Sequence, residues 1–165
     1  MINIIPATAE DFPIIRQIAY TTWPIAYGHI LSKAQLDYML GAFYSTETLT
    51  QNLKEKGHFF MLAKEGENVL GFTSFEHNYN NKNVTHVHKL YILPETQGKG
   101  IGKLLIGAVE KAARNNNSDA ITLNVNRFNK AQEFYRKFGF EITATVDVQL
   151  DHGYLMEDYI MTKGF

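Results

Sequence analysis

Leu90-Tyr91-Ile92-Leu93-Pro94-Glu95-Thr96-Gln97-Gly98-Lys99-Gly100-Ile101-Gly102-Lys103 is the stretch that organises this chain. An apolar run ends at Pro94 and a glycine-rich turn follows. A helix then begins, carrying Leu104, Leu105, Ala108, Val109 and Ala112 on one face. The first N–H groups of a helix have no intrahelical acceptor, and the helix dipole is positive at that end. Glycines let the backbone come close to a phosphate, and Lys99 and Lys103 add charge. The pattern predicts an anion-binding turn. Two phosphate motifs fail on spacing. A Walker A loop needs four residues between its glycines, whereas Gly98 and Gly102 enclose three. A dinucleotide fingerprint needs a third glycine where Leu105 stands. A tight turn with no ligand remains open from the loop alone.

Outward from the loop, elements alternate. Toward the N-terminus, 84–93 reads as a strand ended by Pro94, and 78–83 as a polar loop. Strands at 59–63 and 68–76 flank the turn Glu65-Gly66-Glu67. Before them, 46–56 reads as a short helix, and Ser32 caps another that carries Leu36, Met39, Leu40 and Phe43. A helix over 11–22 presents Ile14, Ile15, Ile18 and Ala19, with Trp23-Pro24 expected to break it. Ile2–Ile5 is a strand candidate.

Toward the C-terminus, a helix over 103–114 is stopped by Asn115-Asn116-Asn117, and 120–125 is a strand. A helix over 130–138 aligns Ala131, Phe134, Tyr135 and Phe138, with Gly139 placed for a left-handed cap. Strands over 140–150 and 154–161 are joined by Asp151-His152-Gly153. The sum is an α/β (α+β) chain, a mixed sheet flanked by helices. No repeat, linker or low-complexity segment divides the 165 residues, so one domain is expected.

Composition removes several functions. The absence of cysteine excludes disulfide scaffolds, Cys-based zinc sites and a thiol nucleophile. A formal net charge of −1 argues against binding nucleic acid by phosphate neutralisation. No apolar run approaches the roughly 18–20 residues of a membrane span. The start Met1-Ile-Asn-Ile-Ile-Pro6 shows no secretory pattern, so a cytoplasmic location is expected.

Two segments carry a specific likeness. Gln97-x-x-Gly100-x-Gly102, preceded by Leu90-x-Ile92-x-Pro94, resembles the pyrophosphate loop of the GNAT superfamily of acetyl-CoA-dependent N-acetyltransferases. Asn129-Lys130-Ala131-x-x-Phe134-Tyr135-x-x-Phe138-Gly139-Phe140 is similar to that superfamily's Asn-Ala-Phe-Tyr-Gly-Phe segment. The element order agrees as well. The resemblance implies a mostly antiparallel twisted sheet of about seven strands, splayed at the fourth, with acetyl-CoA lying in the splay.

Carried over residue by residue, backbone groups of Leu90, Tyr91 and Ile92 would pair with the pantetheine arm. One N–H near Tyr91 or Ile92 would hold the thioester oxygen. Amides of Gln97, Gly98, Lys99, Gly100, Ile101, Gly102 and Lys103 would hold the pyrophosphate. One residue separates Asn129 from Ala131 where the superfamily more often has two, so Asn126 and Asn129 both stand as contacts. Tyr135 matches the tyrosine near the thioester sulfur. An unperturbed tyrosine titrates near ~10 and a thiol near ~8.5, so a hydrogen bond to the developing thiolate is preferred over full proton transfer.

His86-Val87-His88 lies just upstream, and residues two apart share a strand face. A neutral imidazole can take the proton that an ammonium must lose before attack. The arylalkylamine N-acetyltransferases resemble this chain there. Glu76 is a rival base. A metal held by the pair and a third ligand such as His77 is disfavoured by the lack of a spaced ligand set, so no metal is expected.

At the acceptor end, the segment holding Trp23 and Tyr27 would roof the amine, or pack as a lid. The tail Tyr154-x-Met156-Glu157-Asp158-x-Ile160-Met161-x-Lys163 resembles bacterial spermidine/spermine N-acetyltransferases, which favour carboxylates near the acceptor. Asp11, Asp37, Glu76 and Glu157 are the available ones. The expected reaction is direct acetyl transfer from acetyl-CoA to a primary amine, a polyamine or another small amine. Alternatives are a peptide N-acetyltransferase and a non-catalytic acetyl-CoA sensor. A homodimer through the C-terminal strands is implied by the same resemblance.

Overall fold

Serine side chains start two of the helices: Ser32 Oγ accepts from the Gln35 N–H at 3.1 Å and Ser45 Oγ from the Thr48 N–H at 3.1 Å. The computed structural model describes all residues, Met1 to Phe165. In chain order they form β1 (Ile2–Pro6), α1 (Phe12–Tyr27), α2 (Lys33–Tyr44), α3 (Thr46–Lys54), β2 (His58–Glu65) and β3 (Asn68–Glu76). There follow β4 (Val84–Ile92), α4 (Ile101–Asn115), β5 (Ala120–Asn126), α5 (Ala131–Lys137), β6 (Glu141–Gln149) and β7 (Leu155–Gly164).

The strands make one seven-stranded sheet ordered β1-β2-β3-β4-β5-β7-β6. Every neighbouring pair is antiparallel except β4 and β5, which run parallel. A parallel pair needs a crossover, and α4 supplies it. Apolar residues of α1 and α2, among them Ile15, Ile18, Met39 and Leu40, bury one face of the sheet against Phe60, Leu62 and Phe72. Ile106 and Val109 of α4 bury the other face against Phe75, Val87, Ile121 and Leu123. A fully buried side chain of this kind contributes about 1.5–3 kcal/mol.

Trp23-Pro24 does not end α1, contrary to the reading of the sequence; the helix continues to Tyr27. Pro24 removes one N–H, but Trp23 is only 4% exposed and packs edge-on to Tyr27, Phe43 and Tyr44. Burial of that indole offsets the local preference of a residue before proline. Gly139 adopts φ +93° as expected and closes α5 with two bonds, its own N–H to Arg136 O and the Phe140 N–H to Tyr135 O.

One irregularity matters for the site. Ser74 pairs with Lys89 and Phe75 with Val87, so His88 is an extra residue in β4. The bulge resets the alternation of the strand. Val87 packs on the α4 side, while Lys89 and Tyr91 meet Tyr44 and Trp23 on the side of α1 and α2.

Candidate active site

Strand β4 pairs with β5 only from Val84 to Val87. Beyond that point the edge of β4 turned away from β3 carries no strand partner, which is the expected splay. A cavity of about 930 Å³ occupies the opening, lined by Leu90, Tyr91 and Ile92 on one side and Leu123, Asn124 and Val125 on the other. Unpaired strand edges offer N–H and C=O groups in a row, suited to an extended amide chain.

The glycine turn closes one end of the cavity. Gly100 stands at φ +74° just before α4, and the amides of Gly98, Gly100, Ile101, Gly102 and Lys103 have no backbone acceptor. These are donors at a helix start, the arrangement that binds phosphate. A Cβ on Gly102 would lie 2.8 Å from the Phe134 ring, so α5 rests directly on the first turn of α4. Gln97, Lys103 and Lys130 line the same end. The Lys99 ammonium instead lies 3.5 Å from Glu65, off the cavity wall. Asn129 is on the wall, its Oδ1 accepting from the Ala131 N–H at 2.9 Å. Asn126 sits behind, its Oδ1 taken by the Phe128 N–H at 2.9 Å.

Tyr135 lines the middle of the cavity and is 8% exposed. Burial, with Tyr27 nearby, pushes its phenol far above the ordinary tyrosine value. The hydroxyl thus stays protonated at any working pH, a donor rather than a source of full protons.

At the opposite end α1 forms the roof. The Tyr27 hydroxyl is 3.0 Å from that of Tyr91, and Thr22, Ile25 and Ala26 border it. Tyr27 faces the cavity, but Trp23 lies in the core behind it, 5.7 Å from the Tyr91 ring.

The two histidines of β4 differ in placement. His88 lines the cavity; His86 does not. The His86 ring stacks on Tyr79 at 4.1 Å, and its Nδ1 is 2.7 Å from Thr122 Oγ1. His88 Nε2 is 3.0 Å from Glu76 Oε1, which therefore accepts its proton and leaves Nδ1 as the free lone pair. Glu76 itself stands behind His88, off the cavity wall. Burial lowers His86 to about 4 and His88 further, to about 2, where His58, His86 and Lys89 add to the effect. Both are neutral imidazoles at pH 7.

Sequence spacing missed His58, which is separated from His88 by a hairpin and a strand. Register supplies it, because His58 pairs with Glu76 across β2 and β3. Its ring stacks on His88 at 4.0 Å and 10°, and its Nε2 lies 3.2 Å from Glu76 Oε1. The ligand-type atoms of His58, Glu76 and His88 all fall within 4.8 Å of one another. A metal shared by two imidazoles needs their in-plane lone pairs to converge at about 2.0–2.1 Å. The two ring planes are stacked only 10° apart, which does not fit that convergence as they stand, and Glu76 Oε1 lies 3.0 Å from His88 Nε2 and 3.2 Å from His58 Nε2. His77 is elsewhere, bonded to Thr85 at 2.8 Å. Two more residues escaped the sequence: Lys89, brought to the cavity by the bulge, and Asn124, which holds the buried Asp158 carboxylate at 3.3 Å.

Comparison with known proteins agrees with this geometry. The Acetyltransferase (GNAT) domain family matches residues 31–163. A spermidine N(1)-acetyltransferase of Thermoplasma acidophilum is 26% identical over 149 residues, 87% of this chain and 91% of its own. An uncharacterized N-acetyltransferase of Mycobacterium tuberculosis is 25% identical over 93% of this chain and 97% of its own. The crystal structure of PaiA N-acetyltransferase from Thermoplasma acidophilum, in complex with coenzyme A, superposes with a TM-score of 0.82. It is 25% identical and covers 100% of this chain and 99% of its own.

Proposed function

The chain belongs to the GNAT acetyltransferase family, and from that premise we propose that it moves an acetyl group from acetyl-CoA directly to a small primary amine. One observation carries this reading: a single cavity is lined by the glycine turn with its free helix-start amides, by Tyr135 and by His88, whose ring Glu76 holds from behind. The free amides with Lys103 and Lys130 suit a pyrophosphate, and the unpaired β4 edge suits the pantetheine arm.

The steps follow from the placement. The amine reaches the cavity as an ammonium and passes one proton to His88 Nδ1, while Glu76 holds the far side of the ring. Burial disfavours the imidazolium and the bound ammonium alike, so it does not close the gap between them; consumption of the free amine by attack draws the transfer forward. The amine nitrogen attacks the thioester carbon, and a backbone N–H near Tyr91 or Ile92 takes the oxyanion. As the tetrahedral carbon collapses, the C–S bond breaks and the departing sulfur, held by a hydrogen bond from the Tyr135 hydroxyl, takes up the second proton shed by the nitrogen, which leaves the amide and the free thiol of CoA. Both substrates bound together supply much of the rate.

The spermidine-acting relative supports a small amine as acceptor. For a polyamine in particular the wall gives little support. Asp11 caps a turn at the Thr8 N–H, Asp37 pairs with Lys33, Glu157 faces a separate hollow and Glu76 is behind His88. Release of CoA from acetyl-CoA across primary amines, polyamines and peptides is the test. Release with small amines supports the reading; release with peptides alone, or with none, overturns it.

A further inference from the structure

The acceptor end of the cavity contains a cation that the transfer reaction does not use. Lys89 reaches this wall because the extra residue His88 turns both itself and Lys89 toward α1 and α2. Its ammonium sits 5.5 Å from the centroid of the Tyr44 ring and takes part in no ion pair. Ser74, directly across the ladder, has a buried hydroxyl with no hydrogen-bond partner. Lys89 is therefore deep among protein atoms, open to the cavity, and lacks a counterion.

The rest of the wall sharpens this. Its other lysines, Lys103 and Lys130, belong to the phosphate end, and no aspartate or glutamate lines the cavity at all. Two carboxylates lie behind the wall. Glu76 is engaged by His58 and His88, and Asp158 is covered by Asn124 and faces Arg127. An incoming amine thus meets a proton acceptor at His88 and, one residue further along the same face, the Lys89 ammonium, which burial and nearby Lys56 lower to about 8 and which is still charged at pH 7. An unpaired charge in a buried site is costly, and an anionic group on the substrate removes the cost.

We propose that Lys89 selects the acceptor: a primary amine whose other end carries an anionic group, carboxylate or phosphate, placed on the Lys89 ammonium while the nitrogen faces His88. Diamines and polyamines bring a second cation to the same place and are rejected. This rests on the acetyl-transfer reading above and names its substrate class.

The experiment measures kcat/KM for acetyl transfer to propylamine, β-alanine, 2-aminoethylphosphonate, 1,3-diaminopropane and spermidine. Both anionic amines are expected to exceed propylamine by about tenfold, and propylamine to exceed the diamine by a similar factor. The ratio of β-alanine to 2-aminoethylphosphonate distinguishes carboxylate from phosphate. Lys89→Met brings the anionic-to-neutral ratio to about one, chiefly through KM of the anionic amine, whereas Lys89→Arg keeps the order. Coenzyme A binding by calorimetry shows that each variant is folded. Acetyl transfer that favours spermidine, or a ratio unmoved by Lys89→Met, overturns this inference alone. Transfer to no amine overturns the acetyl-transfer reading and this one with it.

Discussion

At one end of the cavity the donors are the free backbone amides of Gly98 and of Gly100 to Lys103; at the other the wall is made of side chains, His88 and Lys89 of β4 and Tyr27 of the roof helix, with Glu76 behind them. The backbone end works chiefly through helix polarity and close approach, with Lys103 and Lys130 adding charge. The far end works through His88, Glu76, Lys89 and Tyr27, and a change in any one alters charge or proton position. The contrast separates binding from chemistry. Substitutions at the first end should act on cofactor affinity, and those at the second on turnover and acceptor choice.

Tyr135, between the two ends, gives the strongest test of that division. Tyr135→Phe removes one hydroxyl and retains the ring that packs on Phe134 and Phe140. Loss of a donor aimed at a developing charge costs about 10²–10³ in kcat, with CoA affinity little changed. Steady-state kinetics beside calorimetry reads both. An equal loss in affinity would place Tyr135 with the binding end.

His88→Ala comes next. Removing a general base costs about 10² in kcat/KM at pH 7, at the low end of the usual range because burial already makes this imidazole weak. The deficit shrinks as pH rises and free amine becomes available. A pH–rate profile parallel to that of the unaltered enzyme would remove His88 from proton transfer.

The unequal legibility of the two ends has the same origin. Gln97, Gly98, Gly100 and Gly102 form a local signal, because a strand-to-helix turn needs glycine at fixed offsets. Asn129 through Phe140 is also contiguous, and Gly139 marks its cap. The alternation of apolar runs was enough for a mixed sheet flanked by helices, whereas the seven strands and the splay at the fourth came from the resemblance. The acceptor end is assembled across β2, β3 and β4, so His58 meets Glu76 only through register. Lys89 arrives only through a bulge, which no periodicity announces. The same lack of long-range information let Pro24 pass for a helix end, when Trp23 packing carries the helix through it.

His86 belongs to the side-chain end in sequence but to the scaffold in structure, and acid stability distinguishes these roles. Its value is lowered by burial from 6.5 to about 4. The unfolded chain therefore binds a proton that the folded chain refuses, so stability is complete above pH 6.5 and declines as pH falls toward 4. The contribution lost by pH 5 is about 2 kcal/mol. His58 and His88 act in the same direction, and Glu76, which burial raises, acts in the opposite one. Urea unfolding at pH 7 and pH 5 should show a smaller difference in His86→Gln, which has no ring to protonate. An unchanged difference would mean that His86 titrates alike folded and unfolded.

Gly100→Ala is the mildest probe and bears on the backbone end alone. The residue stands at φ +74°, a conformation that a side chain disfavours by about 1–2 kcal/mol. A Cβ there meets nothing within 4 Å, so no clash adds to that strain. Strain of this size is relieved by rotating the turn, which misdirects the amides of Gly100 and Ile101 that have no other acceptor. Affinity for CoA should weaken about fivefold, the equivalent of about 1 kcal/mol. Turnover at saturating acetyl-CoA should move less, because Tyr135 and His88 stand on other elements. If Gly100→Ala instead lowered turnover with affinity intact, the two ends of the cavity would be coupled through α4, and the division between binding and chemistry would not hold.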